Sequence, residues 1–436
     1  MKCFPNRNST QTRILAVVVS LMVTGIAAAQ FTPTFSIDFQ SPTAGGTPGA
    51  ATGFGDAFFG APIDEGQILT QGVPGSPGPN PPLPGPLSVP GVMVDSTPGS
   101  AVGTAPGGLG VLPGLYKGVE VDALSYGRDR GENLVFSVDE FALGIQTSNQ
   151  NHPNVFSEGR GGALEASADV FAYLGPAVPT PLTAVPGAGN KAIIDGNGVA
   201  PFGGPGLGLI EPHPPTIASI SDRGDNLDAL DINTSRENVF KPIFFSMDSR
   251  FRDPLEAAPG TVVPNTGTAA GNGFSGGDVV VTLAGALPVL YAPAAALGLD
   301  IEGIDTDDLD ALALWDDGVV SPATGMPIFS PDRDKILFSV RRGSEVVGML
   351  DSLLGLPIEE GDILAPPVAG GATPSIFIPA EEMGLATIRS ALVSTTEFSD
   401  DLDAMDLTNL VPEPASVVML FLATTGLLAA GRRRMQ

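Results

Sequence analysis

The sequence predicts an all-β chain in which one β-element occurs four times and closes on itself, a four-bladed propeller-like fold with long Gly/Pro-rich loops. Three observations carry this. Three short phrases each recur four times in the same order. The phrases are strand-like. The chain also opens on the first phrase and finishes on the third, so the end copies lack sequence neighbours. A pair of β-sandwiches is the alternative.

The first phrase reads TFSID (Thr34 to Asp38), VFSVD (Val135 to Asp139), FFSMD (Phe244 to Asp248) and LFSVR (Leu337 to Arg341). Phe alternates with Ile, Val or Met across a Ser, the period of a half-buried strand. Units therefore start near Phe35, Phe136, Phe245 and Phe338, spaced 101, 109 and 93 residues apart. The second phrase is EGQIL (Glu65 to Leu69), ADVFAYL (Ala168 to Leu174), GGDVVVTL (Gly276 to Leu283) and EGDIL (Glu360 to Leu364), a small or turn residue before a β-rich run. The third is VDAL (Val121 to Leu124), LDAL (Leu227 to Leu230), LDAL (Leu309 to Leu312) and LDAM (Leu402 to Met405).

At the closest junction Val135 follows Leu124 by only 11 positions, so that third phrase and the first phrase after it read as a hairpin. The final LDAM and the initial FSID then pair across the termini, which removes the exposed edges of a radial β-array. Between phrases, Gly (56 residues) and Pro (42 residues) accumulate, and Gln71 to Pro113 and Leu174 to Pro215 read as loops. Short helical turns are expected at Ala380 to Met383 and in AAALGLD before Asp305.

The ends read differently from the body, residues 30–411. Residues 1–29 carry Lys2, Arg7 and Arg13, an apolar core of 13 residues and small residues at the exit. That is a secretory signal with cleavage after Ala29, its core too short to span a bilayer. Residues 412–436 hold Pro412-Glu413-Pro414, an apolar run of 17 residues from Ala415 to Gly431, and Arg432, Arg433 and Arg434. The run suits a transmembrane helix with its arginines held inside, and the prolines keep the segment before it extended.

This three-part tail resembles the PEP-CTERM sorting signal of Gram-negative bacteria. The resemblance covers about 25 of the 436 residues. It implies removal of the tail by an exosortase, after signal peptidase has acted at the other end. The body then goes to the cell surface or the extracellular matrix, among exopolysaccharide and other surface proteins, and membrane contact is confined to the unprocessed tail. The body phrase of Asp-Ala, hairpin, aromatic strand and second strand is similar to hemopexin-type β-propeller repeats. The long insertions and the single tryptophan, Trp315, depart from that pattern.

Composition excludes several classes. The whole chain has formal charge −27, and residues 30–411 hold 15 basic against 47 acidic residues. A surface so acidic repels nucleic acid and attracts divalent cations. The single cysteine, Cys3, lies before the signal core, so the mature chain forms no disulfide and no thiolate metal site. Two histidines, His152 and His213, make a zinc or copper site a poor fit. Gly273-Phe274-Ser275-Gly276-Gly277 spells G-x-S-x-G, but a strand follows where the nucleophile elbow needs a helix. Arg223-Gly224-Asp225 reads as a turn before LDAL.

The candidate site is one Asp that recurs in the third phrase: Asp122, Asp228, Asp310 and Asp403. A ring brings four copies to one axis, and carboxylates there suit calcium, a hard cation that takes oxygen ligands. The competing reading is that these side chains, like their neighbours Asp225, Asp231, Asp305, Asp307, Asp308, Asp400 and Asp401, accept backbone N–H groups at turns. EF-hand spacing fails because Leu309 stands where an acid is needed. The expected function is that of an exported, non-enzymatic surface or matrix protein, structural or binding, with calcium as the one cofactor the residues suggest. The alternative is a secreted hydrolase acting on polysaccharide, which needs two titratable groups converging in a cleft.

Overall fold

The computed structural model describes residues 33–38, 41–42, 63–71, 89–96, 108–111, 121–125, 134–139, 142, 144–145, 152–159, 165–175, 189–199, 205–210, 225–232, 242–248, 268–283, 285–390 and 398–407. The expected signal peptide with Ala29, and the whole tail from Pro412 to Arg434, lie outside the described residues. No helix among the described residues is long and apolar enough to cross a membrane.

Sixteen strands are described. They are β1 (Pro33–Ser36), β2 (Ile68–Thr70), β3 (Gly91–Val94), β4 (Ala123–Ser125), β5 (Val135–Ser137), β6 (Val170–Tyr173), β7 (Asn190–Ile194) and β8 (Ala229–Ile232). They continue with β9 (Pro242–Ser246), β10 (Val279–Leu283), β11 (Val289–Ala292), β12 (Leu309–Trp315), β13 (Lys335–Val340), β14 (Ile363–Ala365), β15 (Ser375–Ile378) and β16 (Ala404–Leu407). They form four antiparallel four-stranded sheets, ordered β16-β1-β2-β3, β4-β5-β6-β7, β8-β9-β10-β11 and β12-β13-β14-β15. The fold is a four-bladed β-propeller.

The third phrase supplies the innermost strand of each blade, the first phrase the second strand, and the second phrase the third strand. The ring closes as the phrase order demands. In β1 and β16, Pro33 pairs with Leu407, Phe35 with Met405 and Ser36 with Ala404. The first and last described strands thus share one sheet, which closes the ring of blades. Each third strand carries a register shift at its start, at Ile68/Leu69, Val170/Phe171, Val279/Val280 and Ile363/Leu364. Such irregularities increase local twist, and their recurrence gives the four blades one shape.

The first phrase is buried on both faces, not half-buried as its period suggests. The reason is that each blade is packed between two others. Phe35, Phe136, Phe245 and Phe338 all face the preceding blade, each in a different apolar cluster between neighbours. The intervening serines face the following blade. Ser36, Ser137, Ser246 and Ser339 donate to the carbonyls of Val121, Leu227, Leu309 and Leu402, at 2.8, 3.0, 2.8 and 2.8 Å. A polar residue therefore recurs in a fully buried strand because it latches one blade to the next at each seam.

The outermost strands correct the loop reading. β3 lies inside Gln71 to Pro113, and β7 lies inside Leu174 to Pro215. Each is at most five residues long and pairs on one side only, so Gly/Pro-rich flanks hide its short pattern. The expected helical turns are present. After α1 (Val155–Glu158) and α2 (Thr268–Asn272) come α3 (Ala294–Leu297) and α4 (Ala380–Met383). Proline precedes each of the last two, and each ends on a left-handed glycine, Gly298 at φ 82° and Gly384 at φ 90°.

Candidate cation site at the propeller axis

The inner strands β16, β4, β8 and β12 face one another around the axis. In each, the Asp of the third phrase stands at or just before the strand start. Asp122, Asp228, Asp310 and Asp403 are 8, 5, 7 and 8% exposed. Neighbours in the ring act on one another electrostatically: Asp122 on Asp228, Asp228 and Asp403 on Asp310, and Asp122 on Asp403. The Oδ2 atoms of Asp228, Asp310 and Asp403 are buried without a hydrogen-bond partner. Burial is the largest influence on all three carboxyls and pushes them well above the usual carboxylate range. Adjacent acids push the same way, and Arg341 or Arg342 opposes them.

Five of the flanking aspartates accept backbone amides, whereas Asp308 and Asp401 pair with Arg341 and Arg342. Asp225 accepts the amides of Thr268 (2.6 Å) and Ile210 (2.7 Å). Asp307 accepts those of Val346 (2.8 Å) and Asp300 (2.7 Å), and Asp400 accepts that of Ala386 (2.6 Å). Asp231 accepts the amide of Leu314 (2.5 Å) and Asp305 that of Gly276 (3.1 Å). The Asp of the second phrase has the same kind of role. Asp278 accepts Ala294 N–H and Asp362 accepts Ala380 N–H, at 2.8 and 2.9 Å, which hold the two short helices against their blades. Gly361 precedes that Asp because a Cβ there would meet the Asp400 carbonyl oxygen at 2.9 Å.

The ends of the first phrases add residues that sequence reasoning did not assign to the site. Arg341 Nη1 lies 2.7 Å from Asp248 Oδ1 and 3.4 Å from Asp308 Oδ2, joining the third blade to the fourth. Arg342, fully buried, pairs with Asp38 and Asp401, and its guanidinium lies 5.8 Å from the Phe398 ring centroid. It joins the fourth blade to the first. The signal was present in the phrases themselves, since the fourth copy has Arg341 where the others have Asp38, Asp139 and Asp248.

The other motifs find structural places. Ser275 stands in a turn whose amide donates to Asp278 (3.0 Å), before β10. Asp225 is fully buried, so the acid of the Arg-Gly-Asp string faces inward. His152 accompanies the Pro153 carbonyl at 3.2 Å, and His213 lies outside the described residues. No family model, no curated protein and no solved structure matches this chain.

Proposed function

We propose that this chain is an exported, exosortase-sorted surface or extracellular-matrix protein of a Gram-negative-type bacterium, structural or binding and non-enzymatic, with its propeller stabilised by calcium on the axis. The carrying observation is the axial ring, where three of four recurrent carboxylates, each more than nine-tenths buried, hold an oxygen that no protein donor reaches. Leaving such atoms unmatched costs about 1–3 kcal/mol each, and more if charged. A hard divalent cation supplies what they lack. An extracellular compartment holds calcium at high concentration, which agrees with the signal-like start and sorting-like tail of the sequence. Signal peptidase and exosortase are then its processing partners, and exopolysaccharide or other surface proteins its surroundings. Thermal melting of the chain after chelation, with and without millimolar CaCl2, tests the cation reading. We expect a rise in Tm with calcium, and an unchanged Tm removes the reading. Intact-mass analysis of the mature protein tests the sorting. Retention of Arg432 to Arg434 overturns it.

A further inference from the structure

We propose that Asn197 is a self-modifying site, at which the backbone nitrogen of Gly198 displaces ammonia from the Asn197 side chain with Asp195 as the base. The chain holds two Asn-Gly pairs, Asn197-Gly198 and Asn272-Gly273. Gly198 and Gly273 both have φ 74°, so the dipeptide and its glycine are alike and only the surroundings differ. At Asn197 three groups are in place. Gly198 N–H donates to Asp195 Oδ1 at 2.6 Å, so a carboxylate already holds the proton that must leave. Val199 N–H donates to Asn197 Oδ1 at 2.6 Å. That bond folds the side-chain amide over the Gly198 nitrogen and aims a donor at the oxygen on which charge develops. Val199 is 61% exposed, so water reaches the product.

The fold holds these groups together. Asp195 directly follows β7, and its carbonyl accepts Leu207 N–H at 3.0 Å, while the Gly196 carbonyl accepts Leu209 N–H at 2.9 Å. Gly206 packs so closely on the Asn197–Gly198 peptide that a Cβ there would lie 2.7 Å from Gly198 N. Asn272 is placed differently. It closes α2, and its Nδ2 donates to the Thr268 carbonyl at 2.9 Å, which draws the amide back along the helix. Among the described residues, no carboxylate accepts Gly273 N–H. In the reaction, the Gly198 nitrogen bonds to Asn197 Cγ, its proton passes through Asp195 to the departing amide, and ammonia leaves a cyclic imide. Water then opens the ring to aspartate or isoaspartate. One amide and one water thus become one carboxylate and one ammonium, with no oxidant and no cofactor. Each modified chain gains a negative charge beside Asp195, which already acts on Glu158 and Asp169. None of these groups belongs to the axial ring, so the site is independent of the cation reading.

The test ages the folded full-length chain at neutral pH in heavy-oxygen water, so that only amide lost during ageing carries the label, beside the same chain in urea. Peptide mapping by mass spectrometry then follows Asn197 and Asn272 separately. In the folded chain Asn197 is expected to react at least about tenfold faster than Asn272, less than the full effect of a positioned base because a carboxylate is a weak one. In urea the two are expected to react within about twofold of each other, because only local sequence remains. Asp195→Asn is expected to slow Asn197 in the folded chain about tenfold and to leave Asn272 unchanged. An Asp195→Asn chain that modifies Asn197 as fast as the parent overturns the proposal. So does an Asn197 that reacts more slowly folded than in urea, because the same hydrogen bonds then protect the amide. Should Asp195→Asn fail to fold, the folded-to-urea ratio at Asn197 in the parent chain decides alone.

Discussion

Two buried acid clusters in this molecule have opposite balances. In the fourth blade, Arg389 sits among Glu359, Asp362 and Glu381. Its guanidinium pairs with Asp362, and with Glu381 at 3.0 Å and Glu359 at 3.5 Å. Glu381 is held below its ordinary range by Arg389 and Thr387 despite burial, which acts the other way. Asp362 accepts the amides of Ala380 and Glu359 as well. At the axis the recurrent aspartates have no such supply, and three are left with an orphaned oxygen. Burial of acids is therefore no sign of a ligand site. The sign is a mismatch between buried acceptors and available donors.

The largest expected effect breaks the satisfied cluster. Arg389→Met leaves three acids without their cation and is expected to cost about 3–5 kcal/mol, as removal of one member of a buried ion pair does. Denaturant unfolding measures it, and calcium is expected not to restore the loss. If calcium does restore it, the two clusters are not different in kind.

The ring should respond in the reverse sense. Asp310→Asn removes one charge from a crowd of acids, so in the calcium-free chain it is expected to stabilise by on the order of 1 kcal/mol. The same variant is expected to lose part of the calcium-induced rise in Tm. A calcium-free chain that is destabilised instead would mean that Asp310 is already matched by a partner.

The pH dependence follows from the raised carboxyls. Asp228, Asp310 and Asp403 bind protons more tightly folded than unfolded. Between the ordinary carboxylate pKa and their raised values, the native state holds more protons than the unfolded one. Stability of the calcium-free chain is therefore expected to fall as pH rises through that window. With calcium bound, the carboxylates stay charged, the fall is suppressed, and affinity strengthens with pH. Melting curves at a series of pH values, with chelator and with CaCl2, separate the two cases.

The smallest effect concerns the blade latches. Ser339→Ala removes the hydroxyl that reaches the Leu402 carbonyl and is expected to cost about 1 kcal/mol. Because this latch joins the fourth blade to the closing blade, its loss should raise hydrogen exchange at the β1–β16 ladder more than at β8–β9. Equal exchange at both ladders would show that ring closure does not depend on it.

Much of this architecture was legible in the chain. Phrase order alone required Phe35 to meet the LDAM strand, and Phe35 pairs with Met405. The recurrence of one Asp per unit placed four acids at equivalent positions. These signals are readable because they are local, with period two within a strand and hairpin order along the chain. β3 and β7 escaped because a strand of four or five residues between glycines and prolines leaves too short a pattern.

What tertiary structure decided is which acids are satisfied. In sequence, Asp307, Asp308 and Asp310 stand almost side by side. In space, Asp307 is filled by the amides of Val346 and Asp300, Asp308 faces Arg341, and Asp310 keeps an unmatched oxygen. The partner of Asp38 is Arg342, 304 residues away. A strand's period is fixed by its own residues, but the matching of a buried charge depends on groups brought together from other blades. The sequence by itself therefore set the ring, and the folded chain set where within that ring a cation is needed.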